Sequence, residues 1–126
     1  MTGSPDRSAR AAIAARRKHL APETHDAFEA FSRQVFARGA LDAVTKQLIA
    51  VAVAHVTQCP YCIKSHTKAA LRAGATEAQL MEAIWVAAEM RAGGAYAHSS
   101  LVLETAQAAA QRASETPGPR NAPESD

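Results

Sequence analysis

Several shortages in this sequence each remove a class of protein. There are two cysteines in 126 residues, Cys59 and Cys62, whereas a secreted disulfide scaffold would use several bridges closing longer loops. Aromatic residues make up 5% of a chain that is 48% hydrophobic, so the core must come from Ala, Val, Leu and Ile, and each helix has little volume to bury. Helices of that kind gain by packing against another subunit, and a homo-oligomer is expected. No run approaches the ~18 uninterrupted apolar residues of a membrane span. The N-terminal stretch lacks the apolar segment of a secretory signal, and the cytoplasm is the expected location. The formal charge of +2, with a basic excess at Arg7, Arg10, Arg16, Arg17 and Lys18, is too small and too local for a nucleic-acid protein; such a run reads as a solvated helix face.

What is present is helical. One domain is expected at this length. Residues 1–5 and 113–126 are polar and rich in Pro, Gly and Ser, and they read as disordered ends around a domain over 6–112. Between them apolar residues recur at spacings of three and four without sustained alternation, which predicts an all-α fold of about six helices. A first helix over about 6–19 is followed by one starting at Pro22, well placed at a first helical position, and ending at Gly39. Its stripe Phe28, Phe31, Val35 and Phe36 is expected in the core. A third helix, from about Asp42 to Thr57, is apolar over most of its circumference and should be the most buried. Cys59-Pro60 then starts a fourth helix that stops at Gly74. Thr76-Glu-Ala-Gln79 has capping-box spacing and opens a fifth helix carrying Leu80, Ile84, Ala87 and Ala88. Gly93-Gly94 is expected to break or kink it before a sixth.

The chemistry gathers where the fourth helix begins. Cys59 falls at the N-cap and Cys62 in the first turn, where unpaired amides and the helix dipole favour an anion, so both thiols are expected to ionise more readily than free cysteine. Three positions apart, the sulfurs can form a disulfide reversibly. His66 follows Cys62 by one helical turn and is within reach as its base. Lys64, Lys68 and Arg72 on the same helix read as an exposed solvated face. Structural zinc on His55, Cys59, Cys62 and His66 is an alternative, although metal pairs normally come from distant segments. Inert buried cysteines are another. His55 by itself reads as a satisfied helix histidine. No metal or cofactor is expected.

Lys46-Gln-Leu-Ile-Ala50, His55-Val-Thr-Gln-Cys-Pro-Tyr-Cys62 and His66-Thr-Lys-Ala-Ala70, together with Glu82 to Leu101, resemble the AhpD-like, carboxymuconolactone decarboxylase family over about half the chain. The alkylhydroperoxidase branch carries a Glu, eleven residues, then Cys-x-x-Cys-x-x-x-His. The resemblance implies an AhpD-like helical fold intertwined in trimers or hexamers, and a thiol-dependent peroxidase or dithiol–disulfide oxidoreductase. It implies that Cys62 attacks the peroxide with His66 taking its proton, and that Cys59 resolves the product as the Cys59–Cys62 disulfide. A dithiol reductant, of lipoyl or thioredoxin type, would reopen that bond. The family's proton-relay Glu falls on Gln47, which cannot accept a proton, so a slower peroxidase is expected unless Glu82 or Glu89 fills the gap. Tyr61, Glu82, His55 and His98 are accessory candidates. For His98 a decarboxylase-like role and a subunit contact both stand, with Gly93-Gly94 permitting close helix approach. A cofactor-independent lyase and a non-catalytic or zinc-binding assembly module are the competing functions.

Overall fold

The computed structural model describes residues 5–115 and Gly118, and among them the only regular secondary structure is α-helix. Five helices follow in order: α1 (Pro5–Leu20), α2 (Pro22–Phe36), α3 (Ala43–Thr57), α4 (Pro60–Arg72) and α5 (Glu77–Ser114). Helix α1 includes Pro5 and α5 reaches Ser114, slightly past the expected domain limits; apart from Glu115 and Gly118, the rest of the expected disordered ends lies outside the described residues. No helix among these residues is long and apolar enough to cross a membrane.

Local signals decide where the elements stop. Asp42 caps α3 by accepting from the Thr45 amide at 2.8 Å, and that bond holds its carboxyl below the ordinary aspartate value. Its contribution to stability is therefore complete above the ordinary Asp range and is lost as pH falls through the lowered value. Gly74 ends α4 at φ 101°, a conformation a side chain would resist, and the following Ala75 amide returns to the Ala70 carbonyl at 2.9 Å. Thr76 and Gln79 form a reciprocal capping box at the start of α5.

The expected break at Gly93-Gly94 does not occur, and α5 continues through it as a 38-residue helix. Two glycines cost a helix interior about 1 kcal/mol each relative to alanine, too little to interrupt strong helix formers on both sides. Among the described residues nothing approaches the space a side chain at Gly94 would fill, and at Gly93 only Glu89 of the same helix does, so the pair makes no close contact with another described helix.

Helix α3 is the centre, packed against both α4 and α5. Val51, Ala70, Ala75 and Leu80 form the buried cluster, with Val44, Leu48 and Ile84 partly buried against it. The α2 stripe is not part of this core. Phe28 and Phe31 are 68% and 64% exposed, and no residue of α2 is buried, because α2 packs mainly on α1 and touches α3 only lightly. Trp85, Val86, Met90, Leu101, Val102 and Leu103 are also exposed, along α5. The accessible surface is 10762 Å², against about 6,500 Å² for a compact folded chain of this mass.

The capping box gives a direct test of what sets the α4–α5 boundary. Thr76→Ala is expected to cost about 1 kcal/mol in urea unfolding, and an unchanged midpoint would show that packing alone fixes that turn.

Candidate active site

The connection between α3 and α4 consists of Gln58 and Cys59. Gln58 is the one non-glycine residue with positive φ among the described residues, at 57°, and both its amide and that of Cys59 converge on the Ala54 carbonyl. Glutamine has no special ease in this conformation. Its carboxamide oxygen, in the orientation that pairs donor with acceptor, accepts from Arg91 Nη1 at 2.9 Å and Nη2 at 3.2 Å. The same guanidinium reaches the His55 carbonyl at 3.4 Å. Arg91 of α5 thus holds the end of α3 from outside.

Directly after this turn, Cys59 occupies the N-cap of α4 with Pro60 in the first turn, and its sulfur accepts from the Cys62 amide at 3.2 Å. Both cysteines are free thiols, half-buried. They do not ionise alike. The hydrogen bond donated by the Cys62 thiol, then the Cys62 amide, pull Cys59 below the ordinary thiol value. Holding that bond to Cys59, then burial and the neighbouring negative charge, push Cys62 up. The expectation that both thiols would be lowered therefore fails for Cys62, because ionisation of Cys59 discourages that of its neighbour one turn away.

His66 Nδ1 lies 2.8 Å from Gln47 Oε1. The carboxamide oxygen only accepts, so Nδ1 carries the hydrogen and Nε2 is the basic nitrogen. The face of the imidazole stacks on Phe36, with ring centroids 4.9 Å apart and planes 29° apart. Phe36 is presented from the last turn of α2, whose open carbonyls Lys46 collects: Nζ donates to Val35 O at 2.8 Å and Ala37 O at 2.5 Å. A cation at a helix C-terminus satisfies those carbonyls and complements the dipole. Lys46 and Gln47, adjacent on α3, therefore fix opposite sides of the same histidine, one through Phe36 and one directly.

These groups border a cavity of about 460 Å³ whose walls are almost wholly apolar, including Phe36, Leu41, Ile49 and Val53. Cys62 and His66 are its reactive lining, and Cys59 does not face it. The other expected residues stand elsewhere. His55 Nδ1 donates to the Val51 carbonyl at 2.7 Å, the satisfied state of a helix histidine. Tyr61 is 85% exposed, and Glu82, Glu89 and His98 are exposed on α5, outside the cavity wall. Among the described residues no carboxylate hydrogen-bonds His66. The zinc arrangement also does not assemble: among the described residues, only His25, Asp26 and Glu29 bring three metal-capable groups together, and His25 there already contacts both carboxylates.

The sequence profile of the carboxymuconolactone decarboxylase family matches residues 22–105, which include α2, α3, α4 and most of α5. The chain belongs to the carboxymuconolactone decarboxylase family. An uncharacterized protein of the cox locus of Paracoccus denitrificans is 72% identical over 78 residues, covering 62% of this chain and 70% of that protein. An uncharacterized protein of Cupriavidus necator is 37% identical over 82 residues, 65% of this chain and 73% of its own. Among solved structures, one from Methanobacterium thermoautotrophicum superposes with a TM-score of 0.64 at 38% identity, covering 67% of this chain and 94% of that one. An apo carboxymuconolactone decarboxylase family protein from Legionella pneumophila gives 0.62 at 32% identity, over 66% and 74%. The AhpD-like fold expected of this family is thus present.

The unequal thiols make opposite predictions for the two single variants. In Cys62→Ala, Cys59 loses its donor and its titration moves up; in Cys59→Ala, that of Cys62 moves down. Alkylation rates measured against pH on the reduced protein test this. Two wild-type thiols that both titrate like free cysteine would overturn the assignment.

Proposed function

We propose that the protein is a thiol-dependent redox enzyme that reduces an apolar organic hydroperoxide or a disulfide at Cys62. The observation supporting this most strongly is that Cys62 and His66 line the same apolar cavity, with Cys59, the more acidic thiol, one helical turn from Cys62. An apolar lining suits an alkyl chain, and orientation is left to the few polar groups.

In the peroxidase reading, the proton of Cys62 passes to His66 Nε2, and the resulting thiolate attacks the distal peroxide oxygen. The O–O bond breaks, the alkoxide takes the proton from His66, and the alcohol leaves with Cys62 as sulfenic acid. The Cys59 thiolate, whose own proton has gone to solvent, then attacks the Cys62 sulfur; the S–O bond breaks, the departing hydroxide takes a proton from solvent and leaves as water, and the disulfide forms. One external dithiol supplies two electrons and two protons to restore the pair. Gln47 keeps the imidazole tautomer and orientation but cannot relay a proton further. The same amide leaves the dithiol–disulfide exchange reading in force, because exchange demands less of a proton relay. A cytoplasmic location fits both, since thiols are kept reduced there. A lyase of the decarboxylase kind remains the competing activity, and it would use neither thiol.

The exposed apolar faces of α2 and α5 further support a homo-oligomer, a trimer or hexamer, in which copies of the chain cover one another.

Peroxide consumption with a dithiol reductant is expected to vanish in Cys62→Ser and to rise about tenfold or more in Gln47→Glu. A double Cys→Ser variant that still turned over a cyclic carboxylate, with no peroxide or disulfide activity in the wild type, would replace this reading by the lyase. Light scattering on the full chain is expected to give a multiple of 13.3 kDa; a monomer at micromolar concentration would refute the assembly.

A further inference from the structure

The outer face of α4 carries a feature that the thiol chemistry does not use. Tyr61, Lys64, Lys68 and Arg72 succeed one another along it and line, with Arg10 of α1, a polar groove of about 390 Å³. A second hollow of about 510 Å³ continues from it, sharing Arg10, Tyr61 and Lys64 and adding Arg17 and Asp6. All these side chains are exposed. Asp6 is the single acid in the groove and is engaged with Arg10. No acidic side chain pairs with Lys64, Lys68, Arg72 or Arg17 among the described residues. A solvated helix face normally interleaves signs; here four like charges from two helices converge on one channel.

The groove begins at Tyr61, the chain neighbour of Cys62, and neither thiol lines it. Tyr61 lies between Cys59 and Cys62, so the first turn of α4 shows Cys62 to the apolar cavity and Tyr61 to the basic channel. From Tyr61 to Arg72 the channel runs about 16 Å along the helix, with a cation roughly every 6 Å. That is too long for one carboxylate or phosphate, and it matches acidic side chains distributed along a polypeptide.

We propose that this groove docks the acidic surface of the protein that exchanges electrons with the Cys59–Cys62 pair, a partner chemistry that rests on the redox reading above. Charge steers such a partner to the α4 N-terminus and leaves the apolar cavity free for the oxidant.

The test uses the full chain and a fluorescein-labelled peptide of twelve glutamates. Fluorescence anisotropy is expected to show saturable binding that weakens with added salt and falls at least tenfold in Lys64→Glu/Lys68→Glu/Arg72→Glu. The milder triple change to Gln should weaken it in the same direction while circular dichroism stays unchanged. Binding should persist in Cys59→Ser/Cys62→Ser, so it reads the groove independently of the chemistry. In the kinetic arm, a dithiol carried on the glutamate peptide should reduce the oxidised protein about tenfold faster than the same dithiol on a neutral peptide, with the advantage lost on charge reversal. No binding, or binding indifferent to charge reversal, overturns the groove even if both dithiols reduce the protein. Equal binding of a thymidine dodecamer replaces the protein partner by a nucleic acid, and full competition by inorganic phosphate at matched ionic strength replaces it by a small anion. Tight charge-dependent peptide binding with no reducible disulfide would leave the groove standing and remove the redox reading.

Discussion

The fold turns on the break between α3 and α4. Two residues reverse the chain, and nothing about the site survives if they are lengthened or straightened. Gln58 takes a left-handed conformation that ends α3, Cys59 takes an extended one that caps α4, and Pro60 supplies the fixed φ that restarts the helix. This reversal folds α4 back along α3, which is why Gln47 near the start of one helix meets His66 in the middle of the other. It also exposes the amides of a helix N-terminus to the Cys59 sulfur. The cost of a left-handed glutamine is offset from a third element, since Arg91 binds both its side chain and the carbonyl of His55.

A small core explains why the site needs such specific fastening. Val51 is the largest side chain that is essentially fully buried, at 1% exposure, and the buried cluster otherwise consists of alanines and one leucine. Packing of that size orders α3 against α4 and α5, but it does not reach α2. Phe36 therefore meets His66 only because Lys46 anchors the end of α2 through two carbonyls. The apolar surface left on α2 and α5 is the complement of this economy: what the protomer does not bury is available for burial between chains.

Much of this was legible in the sequence. The caps at Cys59, Gly74 and Thr76 were readable because each is a local rule involving a few neighbouring residues. The closeness of Cys59 and Cys62 follows from one turn of helix. Failures came where a distant element decides. The Phe28–Phe31 stripe has helical periodicity, which marks an apolar face without saying what packs on it, and here both side chains stay exposed. Gly93-Gly94 has the composition of a break, but the helical preference of its flanks outweighs it. The role of Lys46 had no local signal at all, because its acceptors are backbone carbonyls of another helix. Likewise, the inequality of the thiols depends on which sulfur donates to the other, a matter of side-chain direction that spacing does not fix.

The amide at Gln47 has a consequence for charge as well as for proton transfer. A carboxylate there would add a second anion to a site whose helix N-terminus already favours a thiolate at Cys59, and neighbouring like charges discourage each other's ionisation. The amide hydrogen-bonds the same imidazole nitrogen without that penalty. The site thus gives up a terminal proton acceptor and retains a thiolate whose competitor is only the second thiol. Peroxide cleavage, which must protonate a departing alkoxide, suffers most from such an exchange. Attack of a thiolate on a disulfide depends mainly on thiolate fraction and on access, and it suffers least. On the redox reading proposed above, the amide at Gln47 therefore favours thiol–disulfide exchange over peroxide cleavage.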